Sequence, residues 1–564
     1  MQDHPLRAQI QSWRQRSRVV SGTPAVSRAD YLSLAGGIIH HFAKFQTEDG
    51  RILDPYEGAE KQYSTPAFAC AAAVLATNGR PLLLAAAIQA LEASLRQMIA
   101  GQPADRHGDF FTVLMMHAYL RLASIVPSEV SGVWREQLSL LDPQRCYRDL
   151  RPDPHNWNVV AIAGEYLRIL AGVGGNIARQ FIAEYLPRHL QYFTCYGMYR
   201  DPNDPLAYDA FARVWIGDML FNGYDGPCRN HLLDYLDRGA WTSMFMQSPT
   251  GEFPAGGRSG GHQWNEAQLV ALFEMMACSH KQSGDLTSAG ACKRSAHLAF
   301  QSIKRWIRPE GDLWIVKNRF DPGRRFGFES YSFHSQYNLL TAALLSLAFI
   351  SADDSILEWT PPSEAGGFAF FLKQAFHKLF MNCSGLYLEA DLQANPHFQS
   401  TGIVRVHAAR HNGSHAVQDS VSCEALYGVD EHRPTQNLAI GPEWNIAGRW
   451  QRLADLRDPA GSVSILDESP QSTSVHIAWP NGLMERLIIS EGRLEIEDFV
   501  PGADKIAAIV PFLREPGIDA PVVRAANGNR EPMRMGVNEP TRYGFVDAYR
   551  IEADGQRISY SIVI

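Results

Sequence analysis

The stretch LMERLIISEGRLEIEDFV, residues 483–500, decides the second half of the fold, because apolar and polar residues alternate along it. The alternation is complete in Leu494-Glu495-Ile496-Glu497. A period of two predicts strands with one buried face. Six further segments after residue 381 are also short, β-branched and separated by turn signals: GLYLEADL, GIVRVHAARH, SVSILDE, TSVHIAW, AAIVPFL and RISYSIVI. We therefore expect an antiparallel β-sandwich over residues 381–564.

Residues 1–380 have a different pattern, because apolar runs of good helix formers follow one another with a period near 3.6. Pro, Gly, Asp and Asn stand between the runs, as helix-to-helix turns require. Many runs are apolar all round, which favours paired helices in two concentric rings, an (α/α)n toroid or incomplete barrel. The predicted helices are 67–76, 82–100, 110–124, 158–172, 178–193, 207–221, 232–246, 265–280, 292–307, 337–351 and 368–380.

The composition, 45% hydrophobic and 20% charged over 564 residues, is that of a globular protein. A net charge of −8 without a Lys/Arg run argues against nucleic acid as a partner. The longest apolar run, TAALLSLAFISA at 341–352, is too short to cross a bilayer, so no membrane partner is expected. The polar first twenty residues predict a cytoplasmic protein, or a periplasmic or secreted one if a signal was removed. The eight scattered cysteines form no CxxC pair and are expected to be reduced core residues.

The segment DPHNWNVVAIAGEYLRIL at 153–170 begins a predicted helix with more polar residues than capping requires. One polar side chain is enough to satisfy an orphan N–H group, and we expect Asn158 or Asp153 to supply it. Asn156 is then left over, which favours a role in a site. The residues next to it that would share the site are His155 and Trp157.

Tyrosines stand at three other predicted helix entrances. Tyr63 ends GRILDPYEGAEKQY at 50–63, and Tyr208 lies in MYRDPNDPLAYDAFARVW at 198–215. The segment FGFESYSFHSQYNLL at 326–340 adds Tyr331, His334 and Tyr337. In a helix, positions 331, 334 and 338 would share one face. Three aromatic residues with a histidine are unusual for a core, so this face is a second candidate part of a site.

The loop EFPAGGRSGGHQWNEAQ at 252–268 is the richest of these segments. Its glycines allow close backbone approach and positive φ angles, and Arg258 suits a carboxylate. It matches neither GxGxxG nor GxxxxGK[ST], and no strand is predicted before it, so phosphate binding is not expected. The other candidate site residues that it contains are His262, Trp264, Asn265 and Glu266.

Together these residues provide Asn, Arg, His and Tyr side chains, with tryptophans suited to stacking on sugar rings. An amide, Arg or protonated His can neutralise the carboxylate of a uronic acid and stabilise an enolate-like transition state. Tyr or His can then remove the C5 proton, and a Tyr can protonate the leaving oxygen. The set therefore fits β-elimination, for which no metal or other cofactor is required.

With these residues and this order of elements, the chain resembles the polysaccharide lyases that combine an α/α toroid with an antiparallel β-sandwich, the heparinase II/III and alginate-lyase-like group. The resemblance implies cleavage at a uronic acid, such as glucuronate, in an oligosaccharide or polysaccharide, giving an unsaturated uronate. It also implies that Asn156 neutralises the carboxylate and that Tyr208 is base and acid. The further catalytic residues would be Arg258, His262, His334 and Tyr331, with Tyr331 or Tyr337 as an alternative base. The substrate-binding residues would be Tyr63, His155, Trp157, Trp264, Asn265, Glu266 and Tyr337.

Two alternatives stay open at the level of sequence. An α/α-barrel glycoside hydrolase of the glucuronyl hydrolase type would need paired carboxylates. The candidates for such a pair are Asp54, Asp109, Asp209, Glu252 and Glu266. A non-catalytic carbohydrate-binding protein would use the same aromatic residues without turnover.

A group of three histidines lies outside these segments. His407, His411 and His415 recur every four residues in the predicted sandwich. In a strand and turn this spacing does not converge on one metal ion. We therefore expect solvated or rim histidines, with a structural metal as the alternative.

Overall fold

The computed structural model describes residues 3–22, 25–147, 155–409, 415–429, 433–457, 461–514, 520–526 and 530–564. Within these ranges the chain is helical first and then folds into antiparallel sheets. The helices are α1 (Arg7–Arg16), α2 (Arg28–Phe42), α3 (Ser64–Thr77), α4 (Leu84–Ala100), α5 (Gly108–Leu122), α6 (Ser128–Ser139), α7 (Pro143–Cys146), α8 (Asn156–Leu170), α9 (Gly175–His189), α10 (Leu206–Phe221), α11 (Arg229–Met246), α12 (Gln263–Gln282), α13 (Leu286–Lys304), α14 (His334–Ser351) and α15 (Pro362–Ala365).

Six of these helices, which we call the inner helices, pack against one another in cyclic order: α3, α5, α8, α10, α12, α14 and back to α3. The contact between α14 and α3 closes the cycle. The ring of inner helices is therefore closed, whereas an incomplete barrel was expected. Helices α2, α4, α9, α11 and α13 pack on the outside of the inner helices. The difference follows from the sequence, since α3 is buried at every residue from Ser64 to Leu75, whereas α4 buries one side only.

Ten of the eleven predicted helices correspond to helices of the structure. Helix α2 was not predicted, because Gly36 and Gly37 lie in its middle and glycine has a low helix propensity. The structure explains Gly37, since a Cβ there would lie 3.0 Å from the carbonyl oxygen of Gly311. The glycine therefore lets α2 approach the connection between α13 and α14.

The strands begin at Phe368. They are β1 (Phe368–Phe371), β2 (Lys378–Cys383), β3 (Leu386–Asp391), β4 (Gly402–Ala408), β5 (His415–Val417), β6 (Gly441–Ile446), β7 (Arg449–Arg452), β8 (Ser462–Glu468), β9 (Ser472–Ala478), β10 (Met484–Ser490), β11 (Arg493–Phe499), β12 (Lys505–Leu513), β13 (Val522–Ala525), β14 (Met533–Thr541), β15 (Gly544–Asp554) and β16 (Arg557–Val563). They form three sheets, in the orders β1-β2-β3-β4-β5, β13-β16-β11-β10-β9-β8 and β14-β15-β12-β6-β7. Every pairing is antiparallel, and residues of all three sheets share one apolar core.

The predicted helix over 368–380 is wrong, because β1 and β2 occupy most of these residues. Phe371 pairs with Leu379 across a turn in which Phe376 and His377 have φ angles of 68° and 49°. A helix cannot contain this left-handed backbone. Phe368 lies on one face of β1 against Phe245 of α11, at 4.8 Å between ring centroids. The division of the chain into domains at 380/381 stays a prediction.

Two composition-based expectations have mixed outcomes. The eight cysteines are all free, but Cys195 and Cys423 are exposed rather than in the core. Among the described residues one helix, Pro81–Ala100, is long and apolar enough to cross a membrane by length and composition. It packs against α3 and α5. A single helix of this kind is weak evidence for a membrane span, because core helices pass the same test.

Candidate active site

A cavity of about 230 Å³ lies at the end of the helix ring where the inner helices begin. Each of the six inner helices contributes a residue from its cap or first turns. The lining residues are Gln62, Tyr63, His107, Phe110, Trp157, Tyr208, Phe211, Arg258, Trp264, Tyr331, Gln336, Tyr337 and Leu340. Six helix N-termini therefore surround the cavity, and their partial positive charges favour a negatively charged ligand.

Tyr208 is the third residue of α10, and its side chain is buried in the cavity wall. The guanidinium carbon of Arg258 lies 4.4 Å from the centroid of its ring, in cation–π geometry. Burial raises the pKa of Tyr208, while Arg258 and the hydroxyl of Ser259 lower it in part. Arg258 is therefore placed to stabilise the phenolate form of Tyr208.

Ser259 connects the tyrosines to one another. Its Oγ lies 3.0 Å from the hydroxyl of Tyr208, 3.0 Å from that of Tyr331 and 3.5 Å from that of Tyr337. Burial raises the pKa values of Tyr331 and Tyr337 well above those of free tyrosine, and neighbouring acidic groups add to this. Three phenols thus meet at one serine hydroxyl, and the sequence did not single out that serine.

Glu329 holds the loop that carries Ser259. Its Oε1 accepts a hydrogen bond from the backbone N–H of Ser259 at 2.8 Å, and its Oε2 lies 2.8 Å from Nε2 of His262. Arg542, from the turn between β14 and β15, contributes a third contact at 3.2 Å. Burial alone would raise the pKa of the Glu329 carboxyl, but His262 and Arg542 lower it to about 2. We call Glu329, His262 and Arg542 the Glu329 frame.

Arg258 is held from behind by Asp201. The Nη2 atom of Arg258 contacts Oδ2 of Asp201, while Oδ1 accepts hydrogen bonds from the backbone N–H and Nδ2 of Asn156, at 2.7 and 3.0 Å. Asn156 is 1% exposed and is not among the lining residues. The structure therefore brings Asn156 to the site through Asp201 and Arg258, and not to the cavity wall.

The opposite wall combines stacked rings with an amide network. Tyr63 stacks on Phe110 at 4.7 Å between centroids, and its hydroxyl accepts a hydrogen bond from Nε2 of Gln336 at 3.0 Å. Gln336 also donates to the side-chain oxygen of Gln62 at 2.8 Å. Gln62 in turn donates to the backbone carbonyl of Tyr331 at 2.8 Å. The amides thus fix the entrances of α3 and α14 relative to each other.

The predicted site residues fall into two groups. Seven of them line the cavity: Tyr63, Trp157, Tyr208, Arg258, Trp264, Tyr331 and Tyr337. Asn156, His155 and His262 lie behind the wall, where His155 stacks on Trp157 at 5.7 Å. Asn265 also supports the site, since its Nδ2 donates to the carbonyl of Ser259 at 2.8 Å.

His334 lies away from the cavity wall. Its Nε2 contacts Oδ2 of Asp312 at 2.5 Å and lies 3.2 Å from Nη1 of Arg308. Helix α14 begins at His334, so the expected common face of 331, 334 and 338 is found only for His334 and Asn338. Tyr331 precedes the helix and points instead towards Ser259.

The carboxylates considered for a hydrolase are buried in other contacts. Asp209 is paired with Arg213, and Glu252 and Glu266 are both paired with Lys317. Asp54 accepts a hydrogen bond from the backbone N–H of Ser335 at 2.7 Å. Neither these residues nor any other Asp or Glu is among the described residues that line the cavity. Glu266, which was predicted to bind substrate, instead binds Lys317 and the backbone N–H of Phe253.

The helix entrance at 156 shows which residue caps α8. The N-cap is His155, and Oδ1 of Asn158 accepts a hydrogen bond from its backbone N–H at 3.0 Å. Asn158 therefore stabilises the first turn as the third residue of α8, but the cap position expected for Asn158 or Asp153 belongs to His155. Asp153 lies outside the described residues. This leaves the side chain of Asn156 free of a capping role.

Of the three histidines, the side chain of His415 lies outside the described part of the structure, and His407 is not a rim residue. His407 is fully buried, with Nδ1 at 2.7 Å from Oγ of Ser248 and Nε2 at 2.6 Å from Oε1 of Gln418. His411 lies outside the described residues. Within the described ranges, no group of three His, Cys, Asp or Glu side chains is placed to hold a metal ion.

Sequence reasoning missed several residues of the site. His107, Phe110, Phe211 and Leu340 were not among the predicted site residues, although they stand in the caps or first two turns of inner helices. Their place at the start of an inner helix could have identified them, because the predicted residues Tyr63, Trp157 and Tyr208 also stand at the starts of inner helices. Arg542 carried no such signal, since it lies 213 residues from Glu329 along the chain.

No family model matches the chain, and no curated protein matches it either. Heparinase III aligns with a TM-score of 0.51 at 10% identity, over 98% of this chain and 88% of its own. The chondroitin AC lyase of Streptomyces coelicolor A3, in complex with chondroitin sulphate, aligns with a TM-score of 0.50 at 13% identity, over 96% and 80%. The chain has the fold of these polysaccharide lyases.

The polysaccharide lyase fold spans both the helices and the sheets, because each alignment covers nearly the whole chain. An unsaturated glucuronyl hydrolase from Streptococcus agalactiae aligns over 60% of this chain with a TM-score of 0.40, a likeness too low to support an argument. Identities of 10–13% show a shared fold. The activity has to be argued from the site itself.

Proposed function

We propose that this protein is a lyase that cleaves a glycosidic bond at a uronic acid, such as glucuronate, by β-elimination. In this proposal the ring of helix pairs is an α/α toroid and the sheets are its β-sandwich. One observation carries the proposal: the cavity wall presents tyrosines and an arginine, with no Asp or Glu among the described lining residues. That set can neutralise a carboxylate and move a proton.

Arg258 is the proposed carboxylate-binding group. Its Nε is buried and has no hydrogen-bond partner among the described residues, while Nη2 is engaged by Asp201. A guanidinium that retains a buried donor gains a charge-assisted hydrogen bond when a carboxylate enters. Neutralising the carboxylate makes the C5 proton more acidic and stabilises the enolate-like transition state. Asn156 supports this role by holding Asp201.

Tyr208 is the proposed base. Removal of the C5 proton needs a phenolate, and Arg258 is placed to stabilise that anion from 4.4 Å. A sugar bound in the cavity would displace water from around this pair, which strengthens the interaction. Tyr331 or Tyr337 is then available to protonate the leaving oxygen, since both have hydroxyls close to Ser259.

The wall is unsuited to paired-carboxylate hydrolysis. A glycosidase needs two carboxyl groups flanking the bond, whereas four of the five candidate carboxylates are held by Arg213, Lys317 and the backbone of α14. Moving one of these four into the cavity would break a buried ion pair or a buried hydrogen bond. The lyase proposal needs no such rearrangement.

The cavity also suggests a substrate class. Arg258 is the one Lys or Arg among the described lining residues, so a densely sulphated chain would leave most of its charges unpaired. We therefore infer a glucuronate-containing substrate with little or no sulphate. A volume of about 230 Å³ lies below the usual ~300–1,000 Å³ of ligand pockets, which favours one sugar at the end of a chain.

The test is incubation with unsulphated glucuronate oligosaccharides, chondroitin sulphate and heparin in parallel, with ultraviolet absorbance and reducing ends measured together. We expect both signals to rise in equal amounts with the unsulphated substrate. Reducing ends without an absorbing product would replace the lyase proposal by hydrolysis. Binding without either product would indicate a non-catalytic carbohydrate-binding protein.

The matched variants are Tyr208→Phe and Tyr119→Phe. General acid–base catalysis contributes about 10²–10⁴-fold, so Tyr208→Phe should lower kcat/KM by that range. Tyr119 lies near the end of α5, away from the lining residues, and its loss should leave turnover in place. Equal rates for wild type and Tyr208→Phe would exclude Tyr208 as the base.

A further inference from the structure

Ser259 has an unusual position for a serine. It lies in the loop Gly256-Gly257-Arg258-Ser259-Gly260-Gly261 with a φ angle of 57°, in the left-handed region that favours glycine. The loop uses glycine at four of its six positions but keeps a serine at this one. Strained backbone conformations are concentrated at functional sites, so a serine at this position suggests a functional role for its hydroxyl.

The surroundings of this hydroxyl point to that use. Ser259 Oγ is fully buried and lies 3.0 Å from the hydroxyls of both Tyr208 and Tyr331. A serine hydroxyl donates one hydrogen bond and accepts two. It can therefore donate to whichever of the two tyrosines is a phenolate while it accepts from the other.

We propose that Ser259 relays a proton between Tyr208 and Tyr331, so that one tyrosine is the base and the other is the acid of the same elimination. This inference rests on the proposed lyase function. Ser259 does not line the cavity, so it acts through the two tyrosines as a positioning and relay residue. Because Arg258 lies next to Tyr208, Tyr208 is the base in this proposal and Tyr331 is the acid.

The Tyr208 phenolate, next to Arg258, takes the C5 proton of the uronate. The C5 electron pair forms the C4–C5 double bond, the C4–O4 bond breaks, and O4 takes the phenolic proton of Tyr331. Tyr208 is now neutral and Tyr331 is a phenolate. Tyr208 passes its proton to Ser259 Oγ while Ser259 passes its own to Tyr331, which restores the starting state without any other reactant.

The backbone of Ser259 is held independently of its hydroxyl. Its N–H donates to Glu329 and its carbonyl accepts from Asn265, both at 2.8 Å. A substitution that removes only Oγ therefore leaves these contacts intact. Ser259→Gly also suits the positive φ angle, so this variant removes the relay and relieves the backbone at the same time.

The test is a rapid-mixing time course of unsaturated product for wild type, Ser259→Gly and Ser259→Ala. Without the relay, an enzyme can complete one elimination but returns slowly to the state with a Tyr208 phenolate. We expect a burst of one product per enzyme, followed by a steady state lowered about 10²-fold, the lower range of acid–base contributions. The matched control is Ser332→Ala. The hydroxyl of Ser332 donates to Glu329 at 3.0 Å and forms no hydrogen bond to Tyr208, Tyr331 or Tyr337 among the described residues. This variant should show no burst.

Three results would overturn the relay. The first is a steady-state rate of Ser259→Gly equal to that of wild type. The second is an equal fall in the first turnover and the steady state, which would mean that Ser259 only positions Tyr208. The third is the absence of unsaturated product from wild type, which would overturn the proposed function as well.

A second experiment separates the two tyrosines without changing Ser259. A substrate with a nitrophenolate leaving group at O4 needs little protonation of the leaving oxygen. Tyr331→Phe should therefore regain most of its first-turnover rate with this substrate, whereas Tyr208→Phe should not. Equal recovery of both variants, or of neither, would contradict the division of roles.

Discussion

Arg542, in the turn between β14 and β15, lies 3.2 Å from Glu329 in the connection before α14. It also donates to the carbonyl of Gly260, in the glycine loop of the site. The third sheet thus reaches the helical region at the point where the loop with Arg258 and Ser259 is held. The third sheet therefore supports the site, although none of its described residues lines the cavity.

Arg542→Met should destabilise the protein and lower its activity together. Removing one partner of a buried ion pair costs about 3–5 kcal/mol, because Glu329 keeps its charge with less compensation. The matched control is Arg486→Met, where a 47% exposed side chain meets the 53% exposed Glu497 across β10 and β11 and about 0–1 kcal/mol is expected. Denaturant unfolding and kcat/KM should be measured for both variants. Similar losses for the two would contradict the importance of the Glu329 frame.

The two asparagines at the start of α8 should separate activity from stability. Asn158→Ala removes the first-turn hydrogen bond to His155 and should cost about 0.5–2 kcal/mol of stability, the range of capping contacts. Asn156→Ala removes the side-chain donor to Asp201 and leaves the backbone donor in place, so it weakens the support behind Arg258 and should lower kcat/KM more than Asn158→Ala does. Thermal unfolding and initial rates of both variants provide the comparison. A larger loss of activity in Asn158→Ala would remove Asn156 from the proposed mechanism.

The rate should rise with pH, because the base is a phenolate. Burial raises the pKa of Tyr208 above its ordinary value and Arg258 opposes this shift, so the reactive form increases through neutral and alkaline pH. Arg258→Met removes the opposing charge and should move the rising limb of kcat/KM to higher pH. Arg258→Lys keeps the charge and should move it less. A pH profile unchanged in Arg258→Met would show that this arginine does not act on the base.

Glu485 and Asp498 should make the stability of the sheets depend on pH. They are paired across β10 and β11 on the buried face. Burial raises the pKa of Glu485 to about 7, and burial together with Glu485 raises that of Asp498 well above its ordinary value. Both pKa values exceed the value of about 4 in an unfolded chain. The folded state therefore holds more protons, and the free energy of unfolding should fall as pH rises from about 4 through 7.

Glu485→Gln should flatten this dependence and stabilise the protein at pH values above 7, because it removes the carboxyl that must ionise in the core. Glu495→Gln on the exposed side of β11 is the control, and it should leave the pH dependence as in wild type. Unfolding by denaturant at a series of pH values measures both variants. An unchanged slope in Glu485→Gln would show that this pair does not titrate in the folded protein.

Some of the site was predictable because it depends on local chemistry. The inner helices begin with polar and aromatic residues where capping needs only one, as at 155–158 and at Tyr208, and this excess together with the glycine loop before α12 marked seven of the lining residues. The helix predicted over 368–380 was wrong because local composition does not decide the structure of this segment. Its composition suits a helix, and only the pairing with β3 and the positive φ angles of its turn make it two strands.

What the sequence alone determined is the order of elements and the entrances of the inner helices, because apolar periodicity and capping act over a few residues. Only the tertiary structure decided how those entrances are joined. Ser259 between Tyr208 and Tyr331, Asp201 behind Arg258, and Arg542 against Glu329 are contacts between residues 51 to 213 positions apart. Nothing in local sequence specifies such partners, since they meet only when the ring closes and the third sheet packs against it.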